Sequence, residues 1–311
     1  MEKVDVIINV YGKPWQTLCS LKSLMKVSGE HIDKIYFIEE SKQPYNDTVD
    51  WLTTEFDNLI YYKPNKYVFT PITNSFGDLY IPENRYNFRY QYGLEKSDKK
   101  YCFILHNDIL FTGDIIGDML NEINDCAGIG LLGQCWNCPA FSANLCNGDK
   151  IQGFKPTYAE VIKLCSEFKP ARGSQFINLI DKNKPIPLPE CRLNEFACLI
   201  NKNICINECP PNGNTPYFGS YDILDLGDAW FRSLWLKGYK FKNYDINRTS
   251  IHGYYSQINN DVRIYNSEIK EEKYIESKMF VSGYPTQLDQ QKYIDSEIIA
   301  KKYYEENFIK K

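Results

Sequence analysis

The chain has little histidine, three residues in 311, so an imidazole placed to meet a carboxylate stands out. It also lacks an excess of positive charge: 36 Lys and Arg face 40 Asp and Glu, a net charge of −4. That balance argues against a nucleic-acid binder, which would carry a basic stripe. No apolar run approaches the roughly 20 residues of a membrane span. Met1 leads into Val4–Val10 without a basic segment or a long apolar core, so no secretory leader is expected. The expected setting is cytoplasmic, with peripheral contact at the inner face of the membrane left open. No internal repeat or low-complexity tract interrupts the chain.

What the chain does have is enough length for a full core, at 43% hydrophobic and 24% charged residues. Its aromatic share is 15%, with 24 Tyr, which can serve as ring-stacking platforms or simply as core area. The 11 cysteines are an odd number scattered through the chain, and reduced thiols are the default expectation.

The pattern along the first 134 residues alternates strands and helices. Val4 to Val10 is β-branched and predicts a strand, and Tyr11-Gly12-Lys13-Pro14 turns into a helix with Leu18, Leu21, Leu24 and Met25 on one face, closing near Gly29. Ile35 to Ile38 predicts a second strand ending in Glu39-Glu40-Ser41. Asp47 opens a helix through about Phe56, and Leu59 to Tyr62 is a third strand. Such alternation points to a parallel sheet with right-handed crossovers. Residues 64–82 predict a loop, and a helix from Glu83 would carry Arg85 and Arg89 on one face. Asp114 caps a helix through about Ile123, and Gly128 to Leu132 is a further strand.

The stretch the chain is organised around is 99–115, in which Tyr101 to Leu105 is a short apolar run that predicts a strand buried on both faces. It runs into His106, Asn107 and Asp108 before apolar character resumes at Ile109. A carboxylate at the carboxyl end of a buried parallel strand is costly unless paired, and that edge is where open α/β sheets bind ligands. A divalent cation is one partner for Asp108; a simple turn cap is the other.

From Gln134 to about Pro216 the pattern changes, with eight cysteines and an irregular PIPLPE run, and only one clear helix start at Thr157-Tyr158-Ala159-Glu160. Residues 135–215 are read as an elaboration over the acceptor half of the cleft. A helix follows from Gly227-Asp228 to Gly238-Tyr239, then a strand and Ile251-His252-Gly253. The tail predicts two amphipathic helices, the last with Tyr293, Ile294, Ile298, Tyr303 and Phe308 among Lys and Glu, either docked or interfacial.

Taken in order, a Tyr-containing turn after the first strand, an acidic end to the second, a carboxylate after a central strand and an Asp opening a late helix resemble the GT-A glycosyltransferases, most closely the inverting family 2 type. The resemblance covers roughly residues 4–134 and 220–255. It implies an α/β, Rossmann-like, mostly parallel sheet flanked by helices, with a Cys-rich insertion and a helical C-terminal tail. The implied organisation is a nucleotide-sugar-binding half at 1–134, an acceptor half at 135–261 and a helical extension at 262–311.

By position, the resemblance implies donor contacts from Tyr11, Gly12, Glu39, Arg85, Arg89, His106 and Asn107, metal binding by Asp108 and His252, and a catalytic base at Asp228. His106 replaces the first carboxylate of the family's D-x-D, and Gly227 stands where Glu is common. The implied reaction moves a sugar from a UDP-, GDP- or dTDP-sugar to a glycan or lipid-linked glycan, with Mn2+ or Mg2+, in surface polysaccharide synthesis. Each residue also has a plain reading: Asp228 as a helix cap, His252 as a structural residue, and either arginine in a surface ion pair.

Two other functions remain open. A sugar-phosphate nucleotidyltransferase would need a Gly-rich basic turn after the first strand, where this chain has only Tyr-Gly-Lys-Pro. A catalytically silent carbohydrate-binding protein is kept open by His106. Separately, Cys135-x2-Cys138 with Cys146 and Cys191 could supply four thiolates to a structural Zn2+, and Cys205 with Cys209 is a second candidate pair.

Overall fold

In the computed structural model the described residues are 2–40, 43, 47–65, 79–135, 138–170, 177, 178, 180, 182, 183, 188, 191–220, 225–254 and 287–309. The first of the two expected C-terminal helices, Ser41 and the centre of the 64–82 loop fall outside them.

Seven strands form one sheet in the order β3-β2-β1-β4-β7-β6-β8. They are β1 (Val4–Val10), β2 (Ile32–Glu39), β3 (Leu59–Tyr62), β4 (Tyr101–Leu105), β6 (Gly128–Leu132), β7 (Leu193–Asn201) and β8 (Phe241–Asn243). Two short strands, β5 (Ile109–Phe111) and β9 (Ser250–His252), pair antiparallel beside it. Pairings β1–β2, β2–β3, β1–β4 and β6–β8 are parallel, whereas β7 runs antiparallel to both of its neighbours. This is the mostly parallel α/β sheet predicted.

Alternating side chains fill two layers. Val4, Val6, Ile8 and Val10 of β1, with Phe103 and Leu105 of β4, pack against α1 (Pro14–Ser28) through Leu18, Leu21 and Leu24. Ile7, Cys102 and Ile104 face the other layer. That layer holds Leu94 of α3 (Gln91–Lys96) and Trp230, Phe231 and Leu234 of α8 (Asp228–Leu236). The remaining helices are α2 (Pro82–Arg85), α4 (Ile115–Glu122), α5 (Pro139–Ser142), α6 (Tyr158–Phe168), α7 (Lys202–Glu208) and α9 (Gln287–Tyr304). The expected caps form: Asp114 accepts the Gly117 N–H at the start of α4, and Thr157 and Glu160 make a reciprocal capping box on α6.

Three expectations change. The helix expected to carry both Arg85 and Arg89 ends at Arg85, because the chain turns through left-handed Tyr90 (φ 64°) and sinks Phe88 and Tyr90 into the core. The helix expected from Asp47 is only a 3-10 turn, Asp50–Glu55, since the Asp47 carboxylate accepts the Tyr293 hydroxyl instead of capping. The Cys-rich tract is more than a cover: it supplies β7, which lies between β4 and β6 in the middle of the sheet.

Helix α9 docks on the N-terminus of α1. Glu297 accepts the N–H groups of Trp15 (2.7 Å) and Gln16 (3.4 Å), and the Tyr293 hydroxyl accepts that of Lys13 at 2.6 Å. Burial pushes the Glu297 carboxyl up to about 7 even though these N–H groups favour its charge. Because the folded value lies above that of the free side chain, this contribution to stability is complete below about 4.5 and fades as pH rises through about 7. Glu297→Gln is therefore expected to match the parent near pH ~5 and exceed it by about 2 kcal/mol near pH ~8, after allowance for solvent screening, as measured by urea unfolding.

Candidate active site

Parallel pairing places the carboxyl ends of three strands at one edge, since Val10 stands opposite Glu39 and Ile8 opposite Leu105. The Tyr11–Lys13 turn, Glu39–Glu40 and His106–Asp108 therefore meet there. Because β7 runs the other way, its early residues reach the same edge, and the His106 N–H bonds the Phe196 carbonyl at 2.9 Å. Pairing of Ile109 with His252 brings the last histidine beside Asp108.

The centre of this edge is Asp108, only 4% exposed. Its Oδ2 accepts from the Lys13 ammonium at 2.7 Å, and its Oδ1 lies 3.3 Å from His252 Nε2. Burial alone would raise its carboxyl, but Lys13 and His252 outweigh burial and hold it well below the usual carboxylate range. Ligand atoms of His106, Asp108 and His252 all lie within 4.8 Å of one another. Phe196 stacks on His252 at 4.3 Å between ring centres and meets His106 edge-on at 5.1 Å, which fixes both imidazoles. Asp108 and His252 thus come together as expected. His106, expected as a donor contact, joins them.

A buried carboxylate with two imidazoles is a donor set suited to a divalent ion. The imidazoles shift preference from Mg2+ toward Mn2+ or another transition metal. The Lys13 ammonium neutralises Asp108 Oδ2 in this arrangement and would have to yield that oxygen to an ion.

Behind His106 runs a buried ionic chain absent from the sequence reading. His106 Nε2 lies 3.5 Å from Glu195 Oε1, Arg192 lies 3.7 Å from Glu195 Oε2, and Arg192 Nη1 binds Asp225 at 2.7 Å. Glu195 and Arg192 are 4% and 2% exposed. Burial raises the Glu195 carboxyl, yet Arg192 and His106 bring it below its usual range. Asp225 donates its N–H to Asp228 Oδ2 at 3.0 Å, so the chain ends on the expected base. Asp228 is the first residue of α8 and 1% exposed. Gly227 before it adopts φ 77°, a left-handed conformation that glycine takes without strain.

The other expected donor residues divide. Gly12 (φ 62°) donates its N–H to Gln43 at 2.6 Å, and its carbonyl accepts from Asn107 Nδ2 at 3.1 Å, so Asn107 ties the first turn to the β4 edge. Tyr11, half-buried, opens that turn. Glu39 accepts from Tyr61 and Lys63, each at 2.5 Å. Arg89 reaches the edge, where Glu40 holds it at 2.7 Å. Arg85 is held elsewhere: it makes two 2.6 Å bonds to Glu95 of α3 and donates to the carbonyls of Leu79 and Tyr80, a clamp that ties α2 to α3 and to the residues before it.

No family model matches this chain, and no curated protein does. Solved glycosyltransferases are among its structural neighbours. A mannosyltransferase from Pyrobaculum calidifontis, in complex with GDP-mannose and Mn2+, is 9% identical with a TM-score of 0.45, matching 78% of this chain and 54% of its own. The galactosyltransferase LgtC, in complex with donor and acceptor sugar analogues, is 10% identical with a TM-score of 0.36, matching 78% of this chain and 74% of its own. The present chain therefore covers about half the length of the mannosyltransferase. Among the described residues, no helix is long and apolar enough to cross a membrane.

The buried chain yields a direct test. Removing the Glu195 charge should loosen the orientation of His106, so Glu195→Gln is expected to weaken Mn2+ binding by roughly 10–100-fold. Asp108→Asn should abolish saturable binding. Titration followed by the electron paramagnetic resonance of free Mn2+ reads both.

Proposed function

We propose that this protein is a glycosyltransferase that moves a sugar from a nucleoside-diphosphate sugar to an acceptor hydroxyl with inversion, assisted by a divalent ion. The observation that carries the reading is the His106, Asp108 and His252 cluster at the carboxyl edge of the sheet, with Lys13 bonded into it at 2.7 Å. A diphosphate needs positive charge beside the strand ends, where α/β sheets receive ligands, and Lys13 together with an ion held by this cluster would supply it. A divalent ion bound there would offset the charge that builds on the diphosphate as the sugar C1–O bond breaks.

The chain's own residues have separable tasks in this reading. Lys13, at the end of the glycine turn, is released from Asp108 toward the diphosphate. Tyr11, Gly12 and Glu39 line the place for base and ribose, with Arg89 next to them. Asn107 holds the turn in register with β4. Asp228 takes the proton of the attacking hydroxyl, and Arg192 and Asp225 orient it. A glycan or lipid-linked glycan as acceptor, in surface polysaccharide synthesis, rests on the family resemblance alone.

A second reading is favoured by one contact. Because the Lys13 ammonium already satisfies Asp108, a silent carbohydrate- or nucleotide-binding protein needs no ion. Binding of a nucleotide sugar that survives EDTA, without any turnover, would support that reading.

The experiment is a panel of UDP-, GDP- and dTDP-sugars assayed for release of nucleoside diphosphate with and without Mn2+. Slow, Mn2+-dependent release from one donor is expected, and Asp108→Asn should eliminate it. With an acceptor present, Asp228→Asn is expected to lower transfer by about 10²–10⁴ while leaving the fold intact. Near-parental transfer by that variant would remove Asp228 from the role of base.

A further inference from the structure

Away from the sheet edge, four cysteines converge. Cys135, Cys138, Cys146 and Cys191 all line one cavity of about 10 Å³, closed on its apolar side by Leu132 and Ile151. They arrive from three separate places: the turn after β6, the loop after α5, and the approach to β7. The Cys135–Cys138 turn is closed by the Cys138 N–H bonding the Cys135 carbonyl at 3.1 Å, and Cys191 is held by its N–H bond to the Leu188 carbonyl at 2.8 Å.

Other thiols in the chain are of a different kind. Cys102 and Cys198 point from strands into the core, as small hydrophobes do. Cys205 and Cys209 meet each other in α7 and just after it, within the same buried apolar cluster as Cys102 and Cys198. Around the cavity, by contrast, main-chain N–H groups face the sulfurs: Gly148 toward Cys135, Ala140 and Phe141 toward Cys138, and Asn147 toward Cys146. An N–H aimed at sulfur stabilises a thiolate and gives little to a neutral thiol.

Without a cation, four thiolates here would repel one another. Burial pushes Cys138 up to about 12 and Cys146 up to about 11, and Cys191 lies well above the usual thiol range, with its three neighbours adding to the rise. The sulfurs do not yet stand as close as the His106, Asp108 and His252 atoms. Holding one ion would require the four side chains to draw in toward the cavity they line.

We propose that Cys135, Cys138, Cys146 and Cys191 bind one structural Zn2+, which fastens the turn after β6 to the start of β7. Four thiol protons leave to solvent as four Zn–S bonds form, and no oxidation change is involved. The completed centre carries two negative charges, which the facing N–H groups and Lys150, near Cys146, offset. Its consequence reaches the sheet edge, because Cys191 immediately precedes Arg192, which holds Glu195 and Asp225. The metal would fix the start of the strand that carries the buried ionic chain, at a distance from any substrate.

The test uses the full chain, purified without chelator and measured for zinc by elemental analysis. One zinc per chain is expected, released by a mercurial that titrates thiols. Replacement by Co2+ should give the charge-transfer and d–d bands of a tetrahedral tetrathiolate. Cys138→Ser and Cys191→Ser should each lose the metal and lower the melting temperature, whereas Cys205→Ser should keep it. If the first two variants fail to fold, the zinc content and cobalt spectrum of the parent chain decide. Parent protein that stays substoichiometric after incubation with Zn2+, or a cobalt spectrum without thiolate bands, overturns the proposal. Loss of zinc in Cys205→Ser would move the site to the other pair and overturn this assignment too.

Discussion

A carboxylate buried at the end of β4 has to be neutralised by groups brought from elsewhere in the chain, and the local architecture follows from that need. An isolated buried charge would cost several kcal/mol even after relaxation. Asp108 obtains one partner from the β1–α1 turn and another from β9, segments that lie on either side of it and far from it in the sequence. The Lys13 contact requires the turn to pass through left-handed geometry at Gly12 and Lys13. The His252 contact requires the small β5–β9 pairing. Two otherwise minor features are thus explained by one charge.

The same accounting extends inward. Glu195, Arg192 and Asp225 form a chain in which the Arg192 guanidinium compensates both carboxylates. Such a chain contributes little net stability compared with an apolar core, but cutting one link would leave an uncompensated buried charge. It connects the His106 side of the edge with Asp228 at the head of α8. Rigid placement of these two regions relative to each other is what this arrangement provides, and the sugar transfer proposed above would require geometry held to that degree.

How much of this was legible in the sequence depended on whether the information was local. The run Tyr101–Leu105 followed by three polar residues announced both β4 and its edge, because a buried strand and its exit each leave a continuous signature. The Thr157 and Asp114 caps were readable for the same reason. β7 was missed although Phe196–Ile200 is an apolar run, since the surrounding cysteines and prolines disguised it as irregular insertion. Glu195 and Arg192 gave no signal at all: their partners are set by the antiparallel register of β7 against β4, which no local pattern encodes. Arg85 and Arg89 misled in the opposite direction. Their helical spacing was real, but burying Phe88 and Tyr90 outweighed the weak preference for continuing a short helix.

The docking of α9 bears on how a diphosphate could be held at all. A helix N-terminus that follows the first strand of an α/β sheet is a ready anion site, and phosphate-gripping turns exploit it. Here that position is filled from within, since Glu297 accepts the first free N–H groups of α1 and Tyr293 that of Lys13. A phosphate could not use the same donors without expelling the C-terminal helix. A nucleotidyltransferase relying on a glycine-rich cradle at this turn is therefore disfavoured. Any diphosphate at this edge would depend instead on side-chain charge, from Lys13 and from a cation at Asp108, which places the electrostatic demand on the residues that the buried carboxylate has already assembled.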